Sequence, residues 1–135
     1  MDQMILVVDD ERPIADAAAL VLEHEGYCAL ALYSATEAIK LLSKLDVALV
    51  LSDVNMPEID GVDLALQARR LCPRTRVLLM SGGETSESIG QRRGCEGCVF
   101  EIMAKPFGTG QLLEEIKTAL AEMEERRPDQ DSSAA

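Results

Sequence analysis

The chain has 135 residues, the size of one domain, with 47% hydrophobic and 27% charged residues. Its net charge of −11, from 24 acids against 13 bases, disfavours polyanionic partners, so neither a nucleic acid nor a membrane surface is expected as a target. The apolar run Met4 to Val8 is too short for a signal-peptide core, no stretch approaches transmembrane length, and four cysteines are sparse for a secreted disulfide scaffold, which predicts a cytoplasmic protein.

Strand-length apolar runs recur with helical patterns between them. Met4 to Val8 is the first strand and ends on Asp9-Asp10-Glu11. Pro13 suits a helix start and Gly26 a helix stop, and between them Ile14, Ala17, Ala18, Val21 and Leu22 form one apolar face. Tyr27 to Leu32 is the second strand. Ser34 and Glu37 have the spacing of a capping box for a helix carrying Ala38, Ile39, Leu41, Leu42 and Leu45. The third strand, Val47 to Ser52, precedes Asp53, and a helix from about Val62 to Leu71 is closed by Pro73. The fourth strand, Arg76 to Met80, ends at Ser81-Gly82-Gly83. Glu84 to Gly94 offers one large apolar residue, Ile89, and an internal glycine, so a helix there is expected to be marginal. The fifth strand falls near Cys98 to Ala104 and ends at Lys105-Pro106-Phe107. The last helix starts near Thr109 with Leu112, Leu113, Ile116, Leu120 and Met123 facing the core.

Five βα units with near-continuous hydrophobic strands predict an α/β, doubly wound, five-stranded parallel sheet covered on both faces; right-handed crossovers leave few strand orders, of which 2-1-3-4-5 is expected. The domain is expected to span residues 1–123. The polar stretch 124–135, EERRPDQDSSAA, is expected to be a disordered tail.

Ligands of open parallel sheets bind beyond the carboxyl ends of the strands. Those ends deliver Asp9 and Asp10, then Asp53, Ser81 and Lys105. Three converging carboxylates repel one another, and a hard divalent cation with oxygen ligands, Mg²⁺ above all, relieves that repulsion. A carboxylate set between a metal and an ammonium, with a hydroxyl nearby, is arranged to accept a phosphoryl group. Asp53 is then the nucleophile, and Lys105 and Ser81 steady the transferring oxygens.

The motifs VVDDE (7–11), DVNMPEIDG (53–61), MSGG (80–83) and AKPF (104–107) resemble the receiver domain of bacterial two-component response regulators, the CheY-like group of the flavodoxin-like folds. The resemblance covers residues 3 to 123. It implies that Asp53 receives a phosphoryl group from a histidine kinase or phosphotransfer protein, and that Asp10 ligates Mg²⁺ directly while Asp9 acts largely through water. It also implies that the Asn55 backbone carbonyl is a further ligand, and that Lys105-Pro106 is a cis peptide. Signalling would pass to a protein partner, or to a homodimer, through the face from strand 4 to helix 5. Because no effector domain or DNA-binding helix follows, output is expected to pass through another protein.

The chain departs from the resemblance in places. Ile102 stands where the family often has an aromatic residue, and Gly83 gives no side chain to steer water at the phosphoryl group. GCEGCVF (94–100) lacks the usual small run before the fifth strand. Cys95 and Cys98 form a CxxC, but it does not open a helix and no second close pair exists, which disfavours a redox or zinc role. His24 is read as a partner for helix-terminal carbonyls. Two rival readings remain. In a haloacid-dehalogenase-type phosphohydrolase the nucleophile follows the first strand and a second aspartate lies two residues on, whereas here the nucleophile comes third and position 55 is Asn. The other rival is a pseudo-receiver that only binds, against which the complete acid, serine and lysine set argues.

Overall fold

The computed structural model describes residues 3–94 and 99–126. In chain order the elements are β1 (Met4–Val8), α1 (Arg12–His24), β2 (Cys28–Leu32), α2 (Ala35–Leu42), β3 (Val47–Asp53), α3 (Gly61–Leu71), β4 (Arg76–Ser81), α4 (Ser86–Arg92), β5 (Glu101–Ala104) and α5 (Thr109–Arg126). All strand pairings are parallel, as the βα repeat predicts, and the order is the expected β2-β1-β3-β4-β5.

Alternate residues of the central strands enter opposite layers because side chains in a strand point to opposite faces. Ile5, Val7, Leu49, Leu51, Leu78 and Met80 join Ala15, Ala18, Leu22, Leu112 and Ile116 beneath α1 and α5. Leu6, Val8 and Val50 join Ala38, Leu42, Leu64 and Ala68 beneath α2 and α3. A third cluster, around Leu79, Val62, Ile89 and Phe100, lies beneath α3 and α4. Ile5 through Val8 are wholly buried, each contributing about 1.5–3 kcal/mol of apolar transfer. Polar residues enter these strands only near their ends, at Ser52, Asp53, Arg76 and Ser81, so both sides must be covered.

Local signals set the ends. Gly26 has φ +99°, and the Tyr27 N–H donates to Leu22 O at 3.1 Å while the Gly26 N–H donates to Glu23 O at 3.0 Å. This is a Schellman closure of α1. At α2 the box is only half formed. Ser34 Oγ accepts from the Glu37 N–H at 3.3 Å, but Glu37 Oε1 accepts from Tyr33, not from Ser34. Reciprocal boxes do form at α3, between Asp60 and Asp63, and at α4, between Thr85 and Ser88.

Several predicted faces and ends shift. On α1 the buried set is Ala15, Ala18, Ala19 and Leu22, with Ala17 exposed; in an alanine-rich helix, apolar periodicity marks the face weakly. Leu45 lies past the end of α2 and is 39% exposed. β2 begins at Cys28. β5 begins only at Glu101, after Val99 and Phe100 in irregular backbone, while Cys95 to Cys98 lie outside the described residues. The marginal α4 does form, anchored by the fully buried Ile89. α5 continues to Arg126, taking in the first three residues of the predicted tail, and residues 127–135 lie outside the described residues, as does the side chain of Met123. No described helix is long and apolar enough to cross a membrane.

Candidate functional site: an acid triad with a lysine

Register brings the site together. Val8 of β1 pairs with Ser52 of β3, so the next residues, Asp9 and Asp53, leave the sheet side by side. Ser81 of β4 pairs with Ala104 of β5, and the Lys105 N–H donates to Ser81 O at 2.8 Å, which carries the pairing one residue further. The peptide bond from Lys105 to Pro106 is cis, in agreement with the resemblance.

Carboxylate oxygens of Asp9, Asp10 and Asp53 lie within 4.8 Å of one another. Asp9 is wholly buried, and its Oδ1 accepts from the Glu11 N–H at 3.0 Å. Lys105 Nζ bridges Asp53 and Asp9, 3.0 Å from Asp53 Oδ1 and 3.3 Å from Asp9 Oδ2. Burial raises the Asp53 carboxyl above the ordinary carboxylate range, Lys105 opposes this, and the neighbouring Asp9 and Asp10 add to it. Burial pulls the Lys105 ammonium down, but its contacts with Asp53 and Asp9 outweigh that and hold it above its ordinary value. The lysine therefore stays charged at neutral pH, and Asp53 sits where added positive charge is favourable.

The donor set fits Mg²⁺. The oxygens are hard and anionic, and two of the three acids, Asp10 and Asp53, are reachable from solvent. Asp9, Asp10 and Asp53 would hold such an ion, which would supply positive charge between their oxygens.

All the side chains predicted for the triad and its lysine are assembled here. Ser81 ends β4 at 2% exposure. Its Oγ accepts from the backbone N–H groups of Glu84 at 2.7 Å and Gly83 at 3.2 Å, and lies 3.4 Å from Glu84 Oε1. Asn55 is exposed, and its side chain donates to Glu84 Oε1 at 3.3 Å.

Two features were not read from the sequence. One is Gly61, where a Cβ would stand 2.1 Å from the Asp53 carbonyl oxygen. Only a bare Cα lets α3 start against the strand end that carries Asp53; the signal was the glycine directly after the N-cap Asp60. The other is Glu84, read as part of a polar helix but placed by a tight turn over Ser81. Its spacing, three residues after a serine, was the available signal.

Residues 5–117 match the family model of the response regulator receiver domain. The regulatory protein VanRc of Enterococcus gallinarum is 33% identical over 121 residues, 89% of this chain and 51% of that protein, so the chain spans about half the length of this curated relative. Among solved structures, a CheY-like response regulator receiver domain protein from Methanospirillum hungatei JF-1 superposes with a TM-score of 0.80 at 28% identity, covering 93% of this chain and 98% of that one. The response regulator TrrA from Thermotoga maritima, solved in complex with Mg²⁺ and BeF, superposes with a TM-score of 0.73 at 28% identity, covering 87% and 99%. With its 2-1-3-4-5 sheet and an acid triad at the strand ends, the chain belongs to the receiver-domain family of two-component response regulators.

Proposed function

We propose that Asp53 is a phosphoacceptor, loaded from a phosphohistidine of a kinase or phosphotransfer protein in a Mg²⁺-dependent reaction. The observation that carries this reading is the position of the Asp53 carboxylate, 3.0 Å from the Lys105 ammonium and within 4.8 Å of the oxygens of Asp9 and Asp10. Asp9, Asp10, Asp53 and the Asn55 carbonyl would hold the ion, which supplies charge neutralisation for the incoming phosphoryl oxygens. An Asp53 oxygen attacks phosphorus, the P–N bond breaks, and its electron pair returns to the imidazole nitrogen. Lys105 neutralises phosphoryl oxygen charge as the bond forms, and the Ser81 hydroxyl donates to one of those oxygens. Slow hydrolysis of the acyl phosphate would reset the domain.

Residues 1–123 form the receiver unit in this reading, working in the cytoplasm. Its output is a shift between two conformations on the face from β4 to α5, read by a protein partner or a second copy. Ile102 lies on β5 opposite Leu79, packed against the cluster that contains Ile89. A branched aliphatic residue cannot report the site by swinging a ring outward, so the Ser81 turn and α4 carry the signal.

Incubation with acetyl phosphate and Mg²⁺ followed by intact mass measurement tests the reading. One phosphate adduct is expected on the wild type and none on Asp53→Asn. An adduct that persists in Asp53→Asn would contradict it, and rapid multiple turnover of phosphate monoesters would favour a phosphohydrolase instead.

A further inference from the structure

The turn after Ser81 contains a side chain that the phosphoacceptor chemistry does not use. Glu84 Oε1 lies 3.3 Å from Asn55 Nδ2 and 3.4 Å from Ser81 Oγ. A hydroxyl has one proton and two lone pairs. The N–H groups of Gly83 and Glu84 occupy the acceptor side of Ser81 Oγ, which leaves its proton for the Glu84 carboxylate. The Asn55 amide donates to the same oxygen. With Ser81 at 2% exposure, solvent offers its hydroxyl little alternative.

Both donors border the place where a phosphoryl group on Asp53 would stand. Ser81 ends the strand next to β3, and Asn55 lies two residues beyond Asp53. Carboxylate and phosphoryl oxygens are interchangeable to such donors, since both are anionic acceptors. We propose that Glu84 is a positioning residue that stands in for the phosphoryl group: its carboxylate holds the Ser81 hydroxyl and the Asn55 amide, and must release them before they can engage a modified Asp53. The proposal rests on the phosphoacceptor reading of Asp53.

The surroundings suit such a release. A Cβ added at Gly82 or Gly83 would meet nothing within 4 Å, so the turn has room to move. Glu84 directly precedes Thr85, the N-cap of α4, whose Oγ1 accepts from the Ser88 N–H at 3.1 Å. Displacing Glu84 therefore pulls on the first turn of α4, and Ser86 in that turn accepts from the Phe100 N–H at 2.8 Å. The exchange at Ser81 is thereby linked to the approach to β5.

The test compares the wild type, Glu84→Ala, Glu84→Gln and Asp53→Asn for calorimetric affinity toward beryllofluoride with Mg²⁺, for rate of labelling by acetyl phosphate, and for thermal midpoint. Removing the competing acceptor in Glu84→Ala is expected to tighten beryllofluoride binding and speed labelling by about three- to tenfold, the weight of one or two net hydrogen bonds. Glu84→Gln, which keeps a weaker acceptor, is expected to fall between that variant and the wild type. A side chain that merely braces the turn would give the opposite sign, weaker binding together with a lower thermal midpoint. Labelling of the wild type with equal or weaker binding in both Glu84 variants overturns this proposal alone. No labelling of the wild type overturns the phosphoacceptor reading and this proposal together.

Discussion

Asp53 holds its charge against its surroundings. Burial, then Asp9 and Asp10, raise its carboxyl, and Lys105 compensates only in part. A carboxyl raised on folding contributes stability that is fully present below its unfolded value, about 3.9, and lost as pH rises through the folded value. Asp53→Asn is therefore expected to raise the thermal midpoint of the metal-free protein at pH 7. It is also expected to flatten the decline in stability just above the ordinary carboxylate range. Thermal melts across pH check both, and a lower midpoint at pH 7 would show that the Lys105 ion pair dominates instead. Gly61 acts at the same place through space. A methyl group at Gly61 meets the Asp53 carbonyl oxygen at 2.1 Å, and backbone cannot yield as a side-chain tip can. Gly61→Ala is expected to cost about 1–3 kcal/mol in urea unfolding and to slow acetyl phosphate labelling, because relieving the clash moves either α3 or the end of β3.

Among the elements, α4 depends most on contacts outside its own sequence. It has seven residues and, among the described side chains, one large buried one, Ile89; Ile89 is also its one large apolar residue, which is why the sequence reads it as marginal. Arg93, at its C-cap, supplies what its apolar face lacks. The guanidinium pairs with Asp60 at 3.3 Å and with Asp63, the two acids of the α3 capping box. Burial nudges the Asp63 carboxyl up, but Arg93 and the hydrogen bond from the Asp60 backbone outweigh it and hold it below the ordinary range. A lowered carboxylate contributes stability that is present above its unfolded value, about 3.9, and lost as pH falls through the folded one. Asp63→Asn should therefore flatten the acid limb of the stability profile. Arg93→Gln should do the same and also speed amide hydrogen exchange in α4 at pH 7 while leaving β1 and β3 protected. Equal exchange in α4 of the variant and the wild type would show that Ile89 alone secures the helix. Neither partner was legible from sequence. Periodicity reports which residues face a core, whereas this clamp joins exposed charges separated by 30 or more positions.

At the scale of the whole molecule, the parallel sheet and the edge that carries the site follow from the same feature, and that feature was legible. Each apolar run stops at a polar residue, and in a parallel sheet those stops share one edge, so locating Asp9, Asp10, Asp53, Ser81 and Lys105 needed only the run lengths. What the runs could not give was the path between them. The turn that folds Glu84 over Ser81 is set by backbone N–H groups, which leave little trace in residue identity. Leu45 and Ala17 were misplaced because an apolar residue at a helix end or in an alanine run satisfies the pattern without being buried. The site's three acids also add to the self-repulsion of a chain with net charge −11. Magnesium can therefore stabilise the protein in two separable ways, by screening overall self-repulsion and by occupying the triad. Screening depends on ionic strength and is shared by any salt. Occupancy adds stability as the logarithm of ion concentration over the dissociation constant, about 2.7 kcal/mol at a hundredfold excess. In melts at matched ionic strength, Mg²⁺ is expected to raise the wild-type midpoint by several degrees above the NaCl control. That excess should disappear in Asp10→Asn and in Asp53→Asn, while the response to NaCl survives in both. An equal gain in Mg²⁺ and NaCl for the wild type would mean that the three acids do not act as one site.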